Sequence, residues 1–145
     1  QALLGKAQLR RLDAINSKRN MIADIYKKNL DLCFERELLK FPVVHPELNH
    51  SYWRFWVRLK KGIDRKKVKD LLAEQSISSD WAYDPLLHLQ PLFRNMSKEP
   101  LSFPESEKLA SRHICLPIHS LINEVDAEFI SKTFSDILIQ LDNEA

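Results

Sequence analysis

Only two glycines, Gly5 and Gly62, occur in the 145 residues of this chain. A loop that cradles phosphate needs glycine so that backbone N–H groups can approach the ligand closely. A glycine-rich phosphate loop is therefore excluded. Cysteine is equally scarce: Cys33 and Cys115 stand alone, with no C-x-x-C spacing. A disulfide framework is excluded with them, and two unpaired thiols fit a cytoplasmic location. No apolar run is long enough to span a membrane, and no signal-peptide pattern is present. There is no G-x-S-x-G elbow, no cysteine with an evident partner histidine, and no motif-placed carboxylate pair. Among the five histidines, His45 and His50 flank a proline, and His113 and His119 straddle Pro117. Neither pair has metal-site spacing beside a third ligand, so no metal is expected.

What is present is ordinary in bulk and uneven in detail. Hydrophobic residues make up 44% and charged residues 29%, with a net charge of +2. These values and the length point to one globular domain over residues 1–145. Residues 1–30 carry seven Lys or Arg against two Asp, whereas residues 121–145 carry one Lys against six acids. Opposite ends of opposite charge suggest terminal helices that lie near each other or near complementary partners. The basic end lacks interleaved aromatics, so no nucleic-acid partner is expected. The chain opens on Gln rather than Met and runs directly into a helical pattern, so a fragment or processed chain is expected.

Leu4, Ala7, Leu12, Ile15, Ile22, Ile25 and Leu30 recur at helical spacing, which predicts one helix from Ala2 to Leu30, about 45 Å long. Phe41 to Pro46 reads as a short extended piece. In "SYWRFWVRLKKG", Trp53, Phe55, Val57 and Leu59 alternate with Tyr52, Arg54, Trp56 and Arg58, the period of a half-buried strand. The arginine–aromatic side suits a nucleotide or phosphate, and equally an exposed sheet face covered by long side chains. Asp64 caps a helix over Arg65 to Gln75. Ile77 to Tyr83 reads as another strand. A helix begins at Pro104, Ile114 to Pro117 is a short strand, and Asp126 to Leu141 is a last helix. Phe129, Ile130, Phe134, Ile137, Leu138 and Leu141 form its apolar side. The order αββαβαβα predicts an α+β fold, a small sheet with helices packed on it. Arg94 to Ser102 reads as a mobile surface loop.

One stretch carries side chains suited to binding: "WAYDPLLHLQP", Trp81 to Pro91. Its two prolines exclude a helix interior or a central strand, so it is an ordered loop or a broken turn. Three stretches also resemble one family, the DegT-type sugar aminotransferases. "QALLGKAQLRRLDAINSKRNMIADIYKKNL" is similar to a family helix carrying Q-A-A-x-G-x-x-Q-L-x-x-L-D. "SISSDWAYDPLLHLQPLF" is similar to its G-I-x-T-x-x-H-Y-x-x-P-x-H-x-Q-P-x-Y segment. "FPESEKLASRHICLPIHSLINEVDAEFISKTFSDIL" is similar to its closing helix–strand–helix. The matches stand in family order and cover nearly the whole chain.

The resemblance implies the small C-terminal domain of a pyridoxal-phosphate enzyme with the fold of aspartate-aminotransferase-like proteins. Such enzymes transfer an amino group from glutamate or glutamine to a nucleotide-linked keto-sugar. It implies a large domain of the same enzyme as partner, with the Schiff-base lysine, the phosphate site and the acid facing the pyridine nitrogen. Every lysine here lies in a charged, solvent-facing setting, so none is a convincing Schiff-base residue, and neither catalytic residues nor bound cofactor are expected on this chain alone. Tyr83 stands where the family has the tyrosine of its His-Tyr pair, and Ala82 replaces the histidine. Ser79 takes the place of the family threonine. Tyr83 and His88 are the candidate substrate-binding residues. Tyr83 reads equally as a buried tyrosine with a satisfied hydroxyl, and His88 also as a histidine that fixes the loop. A small domain without its large partner exposes an apolar patch, so self-association as a homo-oligomer is expected. The alternative is a stand-alone, non-catalytic protein-interaction domain.

Overall fold

The computed structural model describes residues 1–94, 96 and 101–144. Most of the loop expected at Arg94 to Ser102 lies outside the described residues. The elements in chain order are α1 (Ala2–Leu9), α2 (Leu12–Asn29), α3 (Asp31–Glu35), β1 (Leu39–Lys40) and β2 (Phe55–Leu59). They continue with α4 (Arg65–Glu74), a 3-10 turn (Leu87–Leu89), α5 (Pro91–Arg94), α6 (Pro104–Ala110), β3 (His113–Leu116) and α7 (Glu124–Asn143). The three strands form one antiparallel sheet in the order β1-β2-β3. The fold is α+β, with helices over a small sheet.

One face of the sheet carries Phe55, Val57, Leu59, Ile114 and Leu116, all buried. The long helices α2 and α7 pack against it and supply Ile22, Tyr26, Phe134 and Leu138, with Leu30 from the turn after α2. Tyr26 sits edge-on to Phe55 at 5.0 Å, and its hydroxyl donates to the Pro117 carbonyl at 2.6 Å. A fully buried phenol with its one donor satisfied gains apolar burial without an orphaned polar atom. Burial drives its acidity down sharply, so the hydroxyl stays a donor. The start of α7 is fixed by a capping box, in which Asn123 and Asp126 each accept the other's backbone N–H. Asp64 caps α4 by accepting from the Lys66 N–H at 2.8 Å, as its position predicts.

Four sequence expectations are corrected. The first helix is broken, not continuous from Ala2 to Leu30: a turn at Arg10–Arg11 separates α1 from α2. None of the residues of α1 is buried, so no tertiary contact enforces regularity there, and Gly5 lowers the local helix propensity. Leu4, Ala7 and Leu12 are accordingly exposed. The strand expected over Ile77 to Tyr83 contracts to a single bridge between Asp80 and Cys115. Strand alternation before Phe55 is also lost. Tyr52 takes a left-handed φ of 41° and is buried, which leaves Trp53 exposed. Phe129 lies at the margin of the α7 stripe and is 52% exposed.

Glycine scarcity has a structural counterpart. Glu37, Tyr52, Ser76 and Tyr83 all adopt positive φ, a conformation glycine takes without strain. Glu37 and Ser76 follow helices α3 and α4. There the Leu38 N–H bonds the Cys33 carbonyl, and the Ile77 N–H bonds the Leu72 carbonyl. These bonds make Schellman motifs that would ordinarily hold glycine. Ser76→Gly is expected to stabilise the fold by about 1 kcal/mol, read as a higher urea midpoint at unchanged slope.

The acidic end of α7 is clamped to the rest of the fold. Asp142 accepts from Lys60 at 2.6 Å and from Arg36 at 3.0 Å. The Lys60 hydrogen bond, with help from Arg36, holds the Asp142 carboxyl below the usual carboxylate range. A lowered folded-state pKa gives stability that is present above the unfolded value and lost as pH falls through the folded one. Asp142→Asn is therefore expected to flatten the acid limb of a stability–pH curve and to lower stability near neutrality slightly. Urea midpoints measured across the acid range check this.

Candidate functional site

The other face of the sheet is only partly covered. In the β2–β3 pair Trp56 stands opposite Cys115 and Arg58 opposite His113. Paired residues share a face, so these four turn away from the core. The loop from Asp80 to Gln90 and helix α6 lie across part of this face. Between them a cavity of about 540 Å³ remains, lined by Trp53, Arg54, Trp56, Tyr83, His113 and Cys115, with Leu86 and Leu109.

The loop is held at several points. Asp80 and Cys115 exchange backbone hydrogen bonds at 3.2 and 2.6 Å. The Ala82 N–H donates to His113 Nε2 at 2.9 Å. A peptide N–H can only donate, so Nε2 is the acceptor and the proton sits on Nδ1. That proton faces the carbonyls of Ala110 at 3.1 Å and Leu109 at 3.3 Å, the last turn of α6. One imidazole thus ties loop, sheet and helix together. Arg65, at the first turn of α4, makes a second tie. It donates to the Asp84 carboxylate and to the Ala110 carbonyl. Its guanidinium also lies 4.3 Å from the Trp81 ring, with Lys69 at 4.4 Å. The Asp84–Pro85 peptide is cis.

These ties display Tyr83. It has φ 59° and is 73% exposed rather than buried, standing at the rim of the cavity. His88 lies elsewhere. Its ring is not in the cavity wall; it bonds Glu107 Oε1 at 3.1 Å and packs edge-on to Phe103 at 5.0 Å. The same Glu107 oxygen accepts the Phe103 N–H at 2.9 Å, so His88 fastens the loop to α6. Ala82, where the resembled family has histidine, presents its backbone to His113. Ser79 is buried, and its hydroxyl has no partner among the described residues. His113 and Arg65 are loop-anchoring positions that sequence reasoning missed. The one signal for His113 was the alternation His-Ile-Cys-Leu, which puts it on the face opposite Ile114 and Leu116.

Chemically the cavity is aromatic with one cation. Arg54 lies over the Trp53 ring at 4.9 Å and reaches Asp80 at 3.4 Å. Burial pushes the Cys115 thiol pKa up, against a smaller lowering by Arg54, which favours the neutral thiol. Burial likewise raises that of Cys33 in the core. Among the described residues, the cavity wall contains neither lysine nor carboxylate.

The DegT/DnrJ/EryC1/StrS aminotransferase family model matches residues 1–135. The chain belongs to this family. It is 30% identical over 139 residues to the GDP-perosamine synthase of Escherichia coli O157:H7, covering 93% of this chain and 36% of that protein. It superimposes on the aminotransferase TlmJ from Streptoalloteichus hindustanus with a TM-score of 0.81 and 28% identity, over 95% of this chain and 36% of that one. The PLP form of the sugar aminotransferase Spr1654 from Streptococcus pneumoniae shares the fold, with a TM-score of 0.81 at 22% identity, over 95% of this chain and 35% of that one. The chain thus spans about a third of the length of the relatives it matches.

Family members are pyridoxal-phosphate enzymes. Such chemistry needs a lysine amine and a partner for the pyridine nitrogen. The wall described above offers no lysine, so this face does not by itself fit the cofactor. The face does fit a role in loop presentation. His113→Ala should speed hydrogen exchange of the Ala82 amide by about tenfold, the loss of one buried hydrogen bond. Amides in the middle of α7 should be unchanged.

Proposed function

We propose that the chain is the small C-terminal domain of a pyridoxal-phosphate-dependent aminotransferase acting on nucleotide-linked keto-sugars. Cofactor, Schiff-base lysine and phosphate site belong to a large domain in the remaining two thirds of the enzyme, and the chain is not catalytic alone. The observation that carries this reading is the family match over residues 1–135 together with the open cavity beside the Tyr83 loop. Tyr83 contacts the sugar from the rim, and His88 serves the same contact indirectly by locking the loop to α6. The large domain covers α1, whose Leu3, Leu4 and Leu9 are 86%, 66% and 70% exposed. An apolar surface of that kind supports a protein partner, and it also supports a homo-oligomer. The enzyme works in the cytoplasm; no helix among the described residues is long and apolar enough to cross a membrane.

The test is amino transfer by the full-length protein loaded with pyridoxal phosphate. Glutamate and a set of nucleotide-linked 3- and 4-keto-6-deoxysugars are supplied, and amino-sugar is read by mass. Formation of amino-sugar with one of them is expected, and failure with all of them overturns the proposal. Tyr83→Phe should raise KM for the keto-sugar about fivefold, the loss of one hydrogen bond of about 1 kcal/mol. An unchanged KM would remove Tyr83 from the substrate side.

A further inference from the structure

Among the described residues, four other than glycine hold a positive φ, and two of them, Glu37 and Ser76, close helices. The other two are Tyr52 at 41° and Tyr83 at 59°, and no helix end accounts for them. A left-handed backbone costs a tyrosine free energy and persists only where its surroundings enforce it. In both places an imidazole accepts a backbone N–H at the turn. His50 Nδ1 takes that of Tyr52 at 3.0 Å, and His113 Nε2 takes that of Ala82, the residue before Tyr83, at 2.9 Å. We propose that His113 is a positioning residue for Tyr83: its neutral ring holds the left-handed turn that presents the phenol at the cavity rim, and a second proton on the ring releases that turn. This deepens the proposed function and rests on it for the substrate that Tyr83 meets.

Three observations carry the assignment. First, the Tyr83 side chain does not hold its own backbone, because it is 73% exposed. The restraint comes from the residues on either side, through the Ala82 N–H on His113 and the Asp84 carboxylate on Arg65. The first of these bonds depends on an imidazole lone pair, and imidazole is the side chain that exchanges a proton near neutral pH.

Second, both ring nitrogens are committed. Nδ1 donates to the Ala110 carbonyl at 3.1 Å, and Nε2 is the acceptor for Ala82. A second proton has only Nε2 to occupy, where it sets N–H against N–H. Both nitrogens of an imidazolium donate, so turning the ring over does not restore the bond.

Third, the groups around the ring offer the added charge no partner. Arg58 stands across the strand pair, and Arg65 of α4 shares the Ala110 carbonyl. The loop carboxylates are engaged elsewhere, Asp80 with Arg54 and Asp84 with Arg65. On α6, Glu107 is bonded to His88 and to the Phe103 N–H, and Glu105 to Lys108. On β3 itself, Arg112 turns to the Leu59 carbonyl, and burial favours the neutral Cys115 thiol. Release of the loop is what brings a charged His113 its water.

The experiment uses the full-length protein and two substitutions that each keep one half of the imidazole's work. His113→Gln offers an amide oxygen in place of Nε2 and has no proton to gain, and the Ala110 carbonyl keeps Arg65. His113→Asn is too short to reach Ala82 but keeps a donor for Ala110. Deuterium uptake by the peptide from Asp80 to Gln90, corrected for the intrinsic effect of pH on exchange, reads the loop without reference to turnover. In the wild type it should rise about tenfold as pH falls through the titration of His113, which is followed by exchange at the ring C2 position. His113→Gln should stay protected over that range, and His113→Asn should exchange fast throughout it. In amino transfer at neutral pH, His113→Asn should raise KM for the keto-sugar about fivefold with kcat nearly unchanged. His113→Gln should keep the wild-type KM there. Combined with Tyr83→Phe, His113→Asn should add nothing further to KM, because the two changes act on one contact. Wild-type uptake that ignores the titration of His113 overturns the inference, and that measurement decides if neither variant folds. Gln and Asn variants that behave alike overturn it too. Amino transfer with a KM indifferent to both variants leaves the proposed function standing and removes this inference. Loop protection that follows His113 in a protein that aminates no keto-sugar does the reverse.

Discussion

The open side of the molecule depends on one imidazole. His113 is the point where a strand of the sheet, the end of α6 and the Trp81–Pro91 loop meet, and it serves all three with two ring nitrogens. The geometry works only in one tautomer, because the loop donates from Ala82 and the helix accepts at Leu109 and Ala110. Arg65 repeats the design from α4, binding the same Ala110 carbonyl and the loop carboxylate of Asp84. The loop is therefore fastened from two elements of the sheet-and-helix frame, although it has almost no regular structure of its own.

The two faces of the sheet divide the work. Behind it, α2 and α7 bury a continuous apolar core, with Tyr26 and Phe134 as its largest wholly buried side chains. That burial supplies most of the stability and leaves the front face free to carry Arg54, Trp56, His113 and Cys115. A sheet whose one face completes the core can leave the other face open for a cavity without loss of scaffold.

Much of the scaffold was legible before the structure. The Asp64 cap, the Pro104 start of α6, the period-two pattern of Phe55, Val57 and Leu59, and the run from Ile130 to Leu141 all follow local rules. The loop was legible from its prolines, and Tyr83 and His88 were singled out in it. The failures share a cause. Ile77 to Tyr83 has the composition of a strand, but strand pairing needs a neighbour in register, and only Asp80 finds one. Trp53 and Tyr52 exchanged places because one residue at φ 41° inverted the alternation. His113 was hidden because its role is defined by contacts with residues 31 positions upstream and by the last turn of α6, and no spacing rule reports those.

The exposed α1 has a consequence for the core behind it. No side chain of α1 is buried, and no residue of α1 belongs to the core formed by α2, α7 and the sheet. The core can therefore close without α1. Because α1 runs on through one turn into α2, any surface that met its leucines would bear directly on the helix that carries Tyr26 into the core.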